Sequence, residues 1–116
     1  MSKQGMEEQI EVLLQKSGNA IICKELLINT QNLLIEEKVK MNDTQWLSLT
    51  SHLSAMVYRS IHKEQIAPID VNLFNEVSLE SINLAEKICM MLPNLHVDEK
   101  YLLSIHFEAA KMNHSL

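Results

Sequence analysis

Apolar residues recur along this chain at intervals of three and four, and short polar stretches divide the pattern into helices. The first helix is predicted over Met6–Lys16, with Ile10, Leu13 and Leu14 on its apolar side. Ser17-Gly18-Asn19 ends it, because Gly and Asn readily take the left-handed conformation of a helix C-cap. A second helix is predicted from Ala20 to Lys38, with Ile22, Leu26, Leu27, Leu33 and Leu34 at helical intervals and a weak point at Asn29-Thr30. Asn42 or Asp43 then supplies an N-cap for a third helix, Thr44–His62. Its apolar positions, Trp46, Leu49, Leu53, Met56, Val57 and Ile61, form a stripe along one face. Ala67-Pro68-Ile69-Asp70 interrupts the pattern, since proline disfavours helix at the residue before it.

A short helical piece is predicted over Val71–Val77, and Ser78 caps a further helix over Leu79–Met91, stopped by Pro93-Asn94. Ile82, Ala85, Ile88 and Cys89 share one face of that helix. Asp98 is the expected cap of the last helix, Glu99–Lys111, and Met112–Leu116 is expected to fray. The fold class is all-α: a five- to six-helix bundle forming one domain over residues 1–116, without repeats, low-complexity tracts or a linker.

Composition supports this architecture. Two glycines and two prolines in 116 residues are too few for a sheet-and-turn fold, which needs turn residues every ~8–12 positions. A chain of this length buries roughly two-thirds of its unfolded surface, enough for a core without disulfides or metals. The net charge of −5, without a basic cluster, argues against direct nucleic-acid binding. No apolar run approaches the ~20 residues of a membrane span, and the start, MSKQGMEEQ, has no apolar signal core. The expected location is cytoplasmic, with Cys23 and Cys89 as reduced, buried thiols too far apart for a metal-ligand motif. The seven methionines fit core filling, and methionine also suits an adaptable helix–helix interface.

Two histidines carry the candidate chemistry. His52 has Ser48, Leu49, Ala55 and Met56 as helical neighbours, so it lies at the edge of the apolar stripe. Arg59 follows two turns later on nearly the same line. His52 is therefore either an ordinary half-buried histidine or a functional imidazole beside an anion-binding arginine. His106 is surrounded on its helix by Leu102, Leu103, Ala109 and Ala110. An imidazole there is either satisfied in the core by another helix or faces an interface or a site. His62, His96 and His114 sit near helix ends or in loops and read as structural or solvated. No glycine-rich phosphate loop, HExxH or paired CxxC occurs. Ser51, His52 and Asp98 make only a weak Ser-His-Asp set, without a nucleophile elbow. No cofactor or metal is implied, and no enzyme.

The histidine segments resemble the PRD, the phosphotransferase-system regulation domain of bacterial antiterminators and activators. The resemblance rests on Leu49-Thr50-Ser51-His52 with Arg59 seven residues on, and on the loop Ala67-Pro68-Ile69. It rests also on Asp98-Glu99 opening a last helix that carries Leu103-Ser104-Ile105-His106. It covers about Met41–Lys111, with the earlier helices matching more loosely. The chain departs from the pattern at Ser51 and Ala67, where the family has aspartate and asparagine, and at Ala109-Ala110, where it has asparagine-alanine.

What the resemblance implies is a five-helix bundle that forms a homodimer. Its histidines are phosphorylated by the phosphocarrier HPr or by enzyme II components, and phosphorylation switches an attached nucleic-acid-binding domain. Carried over by position, His52 and His106 are the phosphoacceptors and Arg59 neighbours the phosphate. The leading expectation is a stand-alone regulatory domain modulating transcription or a partner such as a separate transcription regulator. One alternative is an unphosphorylated protein–protein interaction or dimerisation module. Another is metal or small-molecule binding between His52 and His106.

Overall fold

The computed structural model describes residues 3–115, with side chains from 5 to 113. Among the described residues, five α-helices form the domain: α1 (Lys3–Lys16), α2 (Ala20–Glu36), α3 (Asp43–His62), α4 (Leu79–Cys89) and α5 (Glu99–Ala110). Short 3-10 turns occupy Val71–Phe74, where a longer helical piece was expected, and Lys111–Ser115, where fraying was expected. Leu116 and the side chain of His114 lie outside the described residues.

Capping sets most of the boundaries. Between α1 and α2, Gly18 adopts φ +84°, and the buried Ser17 hydroxyl donates to Leu14 O at 2.6 Å. Asn19 then caps α2, its Oδ1 accepting from Ile22 N at 3.0 Å. Asn42 opens α3 with a full capping box: its Oδ1 accepts from Gln45 N at 2.8 Å, and Gln45 Oε1 accepts from Asn42 N at 3.1 Å. Ser78 caps α4, accepting from Ser81 N at 3.2 Å.

Asp98 occupies the N-cap position of α5 but makes no side-chain cap bond. Its backbone has already turned to φ −81°, ψ −5°, whereas a capping residue needs an extended conformation to reach back. The imidazole of His96 instead accepts from Asp98 N at 3.0 Å. The C-terminal turn is tied down by Asn113, whose amide donates to Lys40 O at 3.0 Å and Gln45 Oε1 at 2.7 Å.

Helix α3 is the spine. Leu49, Leu53, Met56 and Val57 are fully buried, and α1, α2 and α5 all pack against α3. Leu103 and Phe107 of α5 and Ala85 and Ile88 of α4 complete the core opposite Leu14, Cys23, Leu26, Leu27 and Leu34. Each fully buried aliphatic side chain contributes about 1.5–3 kcal/mol relative to exposure, so the four on α3 together contribute on the order of 6–12 kcal/mol. The Cα radius of gyration, 13.9 Å, is close to the ~13 Å expected of a folded chain of this length. Cys23 and Cys89 are both free thiols. Among the described residues, no helix is long and apolar enough to cross a membrane.

Candidate functional site

The α3–α5 seam brings together residues far apart in sequence. His52 Nδ1 lies 3.0 Å from His106 Nε2, with the ring planes at 67° and the centroids 5.1 Å apart. Two turns away, Arg59 grips Glu99 with both arms of its guanidinium: Nε donates to Oε2 at 3.0 Å and Nη2 to Oε1 at 2.6 Å. His52 precedes Arg59 on α3, and Glu99 precedes His106 on α5. The crossed pairing therefore makes the two helices antiparallel. Seven residues separate the partners on each helix, or about 10.5 Å of axis, so one register satisfies both contacts. Met56 and Leu103, both fully buried members of the core, lie between these partners along α3 and α5.

The two ends of the seam differ in chemistry. At the Glu99 end a carboxylate with no exposed side-chain surface faces an arginine whose side chain is 21% exposed. Among the described residues Arg59 makes the only hydrogen bonds to that carboxylate. At the histidine end, burial, then the His106 ring, then Arg59 hold the His52 imidazole down to about 4. Burial lowers His106 as well. Near pH 7 both rings are accordingly neutral, each with one N–H and one lone pair. One ring donates to the other across the 3.0 Å contact, leaving His52 Nε2 and His106 Nδ1 outside it. A neutral imidazole nitrogen with a lone pair is a nucleophile at this pH.

The structure thus brings His52 and His106 into direct contact, whereas the sequence reading had set them face to face only in its metal- or small-molecule-binding alternative. Arg59 was expected beside a phosphate; its guanidinium is held by Glu99 and reaches His52 only through its field. Glu99 was missed as a site residue. The available signal was its spacing of seven from His106, the same as that of His52 from Arg59. Ser51, one of the departures from the PRD pattern, is exposed. It lines a groove of about 390 Å³ between α1 and α3 with Lys16, Tyr58 and Arg59. Ala110 is fully buried in the core, whereas Ala67 lies on the surface. Asp98 lies beside His96, 3.9 Å from its Nδ1, so the Ser51–His52–Asp98 set does not assemble through a bond from Asp98 to His52. His62 stacks on Tyr58 at 4.0 Å, and its Nδ1 lies 2.8 Å from Tyr58 O, which is a helix-end role. No group of three or more metal-ligating side chains converges among the described residues.

A family model described as the PRD domain matches residues 24–110, which includes most of α2 and leaves α1 outside. Among solved structures, the chain is similar to a PRD-containing transcription regulator from Lactobacillus casei ATCC 334. The two share 34% identity and superpose with a TM-score of 0.86, over 90% of this chain and 94% of that one. No curated protein matches the chain.

Proposed function

The chain belongs to the PRD domain family, and on that premise we propose that it is a cytoplasmic regulatory domain whose histidine pair takes up phosphoryl groups from the phosphotransferase system. The observation that carries the reading is the His52–His106 contact at 3.0 Å. The pair consists of neutral imidazoles at the edge of a helix seam, and each ring keeps one nitrogen outside the contact. HPr or an enzyme II component is the donor. Phosphorylation alters a partner or an attached regulator of transcription; the solved relative is itself described as a transcription regulator. Turnover of a substrate is not part of this reading.

A phosphoryl group brings ~1.5–2 negative charges, on the analogy of other phosphorylated side chains. Placed at the end of the α3–α5 seam, it sets that charge beside the hydrogen bond that joins the two helices there. The test is incubation of the full chain with phosphoenolpyruvate, enzyme I and HPr, and separately with enzyme II domains, followed by measurement of acid-labile phosphate. Labelling of wild type that disappears in the His52→Ala, His106→Ala double variant supports the reading. Absence of label from every donor rejects it, and equal labelling of the double variant rejects the assigned residues.

A second reading, an interaction module without phosphorylation, is favoured by one surface. Ile21, Ile28 and Ile35 are 80%, 50% and 71% exposed and lie seven residues apart along α2. A stripe at that spacing suits helix-on-helix association, here with a second copy as the family implies. Sedimentation velocity of wild type and Ile28→Asp tests it. A wild-type dimer that the substitution dissociates supports this face, and a dimer that survives unchanged removes it.

A further inference from the structure

The 3.0 Å contact between the two imidazoles fixes more than their proximity. Two neutral rings joined by one hydrogen bond place a single hydrogen between the facing nitrogens, and each ring has only one N–H. If His52 Nδ1 bears that hydrogen, His52 Nε2 has the lone pair, while His106 accepts at Nε2 and must carry its own hydrogen on Nδ1. If His106 Nε2 bears it, His106 Nδ1 has the lone pair and His52 Nε2 carries a hydrogen. Lone pairs at both outer nitrogens would require hydrogens on both facing nitrogens, and two N–H groups at this distance repel.

We propose that this shared hydrogen makes His52 and His106 one phosphoryl-accepting unit, in which a single nitrogen, His52 Nε2 or His106 Nδ1, is nucleophilic at a time. The proposal rests on the phosphoacceptor reading and adds its stoichiometry. In the first state the His52 Nε2 lone pair attacks the phosphorus of the donor phosphohistidine. The new N–P bond forms as the donor's N–P bond breaks; the donor ring, protonated on its other nitrogen, takes back that electron pair and leaves as neutral imidazole. The phosphorylated His52 ring keeps its hydrogen on Nδ1 in the contact and is an imidazolium whose charge is offset by its own phosphoryl group. His106 therefore still accepts at Nε2, keeps its hydrogen on Nδ1 and offers no nucleophile. Transfer to His106 Nδ1 silences His52 in the same way. The downward shift of both rings supports the scheme, since it keeps the pair free of the additional proton that would remove the lone pairs.

Two measurements test the proposal. Long-range proton–nitrogen correlation spectra of the unphosphorylated full chain read the tautomer of each ring. The two rings should share a tautomer, both Nδ1–H or both Nε2–H, and one ring of each kind overturns the coupling. Intact-mass measurement after exhaustive phosphotransfer from HPr reads the stoichiometry. Wild type should gain one phosphoryl group, and so should His52→Asn and His106→Gln, whose amides stand in for the facing nitrogens and free the remaining ring. Circular dichroism checks that both variants keep the wild-type helix content. Two groups on wild type, or none on either single variant, overturns the mutual exclusion. No phosphate on any chain rejects the phosphoacceptor reading instead, and the tautomers still decide the coupling.

Discussion

Replacing Arg59 by methionine strands a carboxylate that has no other hydrogen-bond partner among the described residues. Glu99 has no exposed side-chain surface, and both of its bonds come from the guanidinium, at 3.0 and 2.6 Å. Removing one partner of a buried pair costs about 3–5 kcal/mol, because the surviving charge is desolvated and uncompensated. For a domain whose total stability is of the order of 5–15 kcal/mol, that is a large fraction. At ~4 °C per kcal/mol for a chain of this size, the melting temperature should fall by about 12–20 °C.

The reverse change, Glu99→Leu, costs less. Arg59 is already 21% exposed and can carry its charge to solvent along its aliphatic stem. In the double variant Arg59→Met, Glu99→Leu, no buried charge remains, and two apolar side chains of similar length fill the seam. Its stability should return to within ~1–2 kcal/mol of wild type. Urea denaturation of the four proteins gives the cycle directly. A single Arg59→Met variant within ~1 kcal/mol of wild type refutes the argument, because the carboxylate would then have found water or another partner. A double variant as unstable as the sum of the singles refutes it too. Phosphotransfer to the double variant separates two roles for Arg59: normal labelling assigns it to the seam alone, and lost labelling assigns it to the phosphate as well.

Acid should weaken the fold through His52. With its folded value pushed from 6.5 down to about 4, the unfolded chain binds this proton first. Stability is therefore full above pH ~6.5 and falls by roughly 3 kcal/mol as pH drops to ~4. Urea midpoints should show a shallower fall in His52→Asn, and identical slopes reject the assignment. Thr30 is fully buried with Oγ1 unbonded, so Thr30→Val should stabilise by about 1–2 kcal/mol, and a lowered midpoint would mean that the hydroxyl is satisfied. Gly18→Ala should destabilise by about 1–2 kcal/mol through its φ of +84° alone. The new Cβ would lie 3.6 Å from His62 Cε1, an ordinary contact, so a loss above ~3 kcal/mol would point to a clash.

The five helices were legible because their apolar positions repeat at helical spacing and because Asn42 and Ser78 stand immediately before the repeats they cap. Asp98 was misread for a local reason: the sequence supplies the right residue at the right place, but the backbone there is already helical. The exposed line of Ile21, Ile28 and Ile35 was hidden by the denser pattern of Leu26, Leu27, Leu33 and Leu34, since α2 is apolar on more than one face. The site was half legible. His52 could be placed at the margin of an apolar stripe and His106 among apolar neighbours, but their contact depends on the direction and register of α5 against α3. Spacing within one helix constrains neither. Only the two matched separations, His52 to Arg59 and Glu99 to His106, bear on that register.

That register also limits how a phosphoryl group at the histidine end could act. Arg59 and Glu99 lie about two turns, ~10 Å, from the histidines. A unit charge at that distance and an effective dielectric near 20 is worth about 1.7 kcal/mol. A dianion would thus be drawn toward Arg59 and pushed from Glu99 by nearly equal amounts, because the bidentate pair is neutral overall. The far field of the seam then contributes little, and the effect must arise at the rings. The His52–His106 bond crosses between α3 and α5 at one end of the seam, and the Arg59–Glu99 pair crosses at the other. A phosphorylated ring that stays in the first link must fit its new oxygens by a shift of the two helices at that end, while the second link stays intact. The expected response is a pivot of α5 about its Glu99 end, with Leu103 beside the pivot and Ala110 farthest from it.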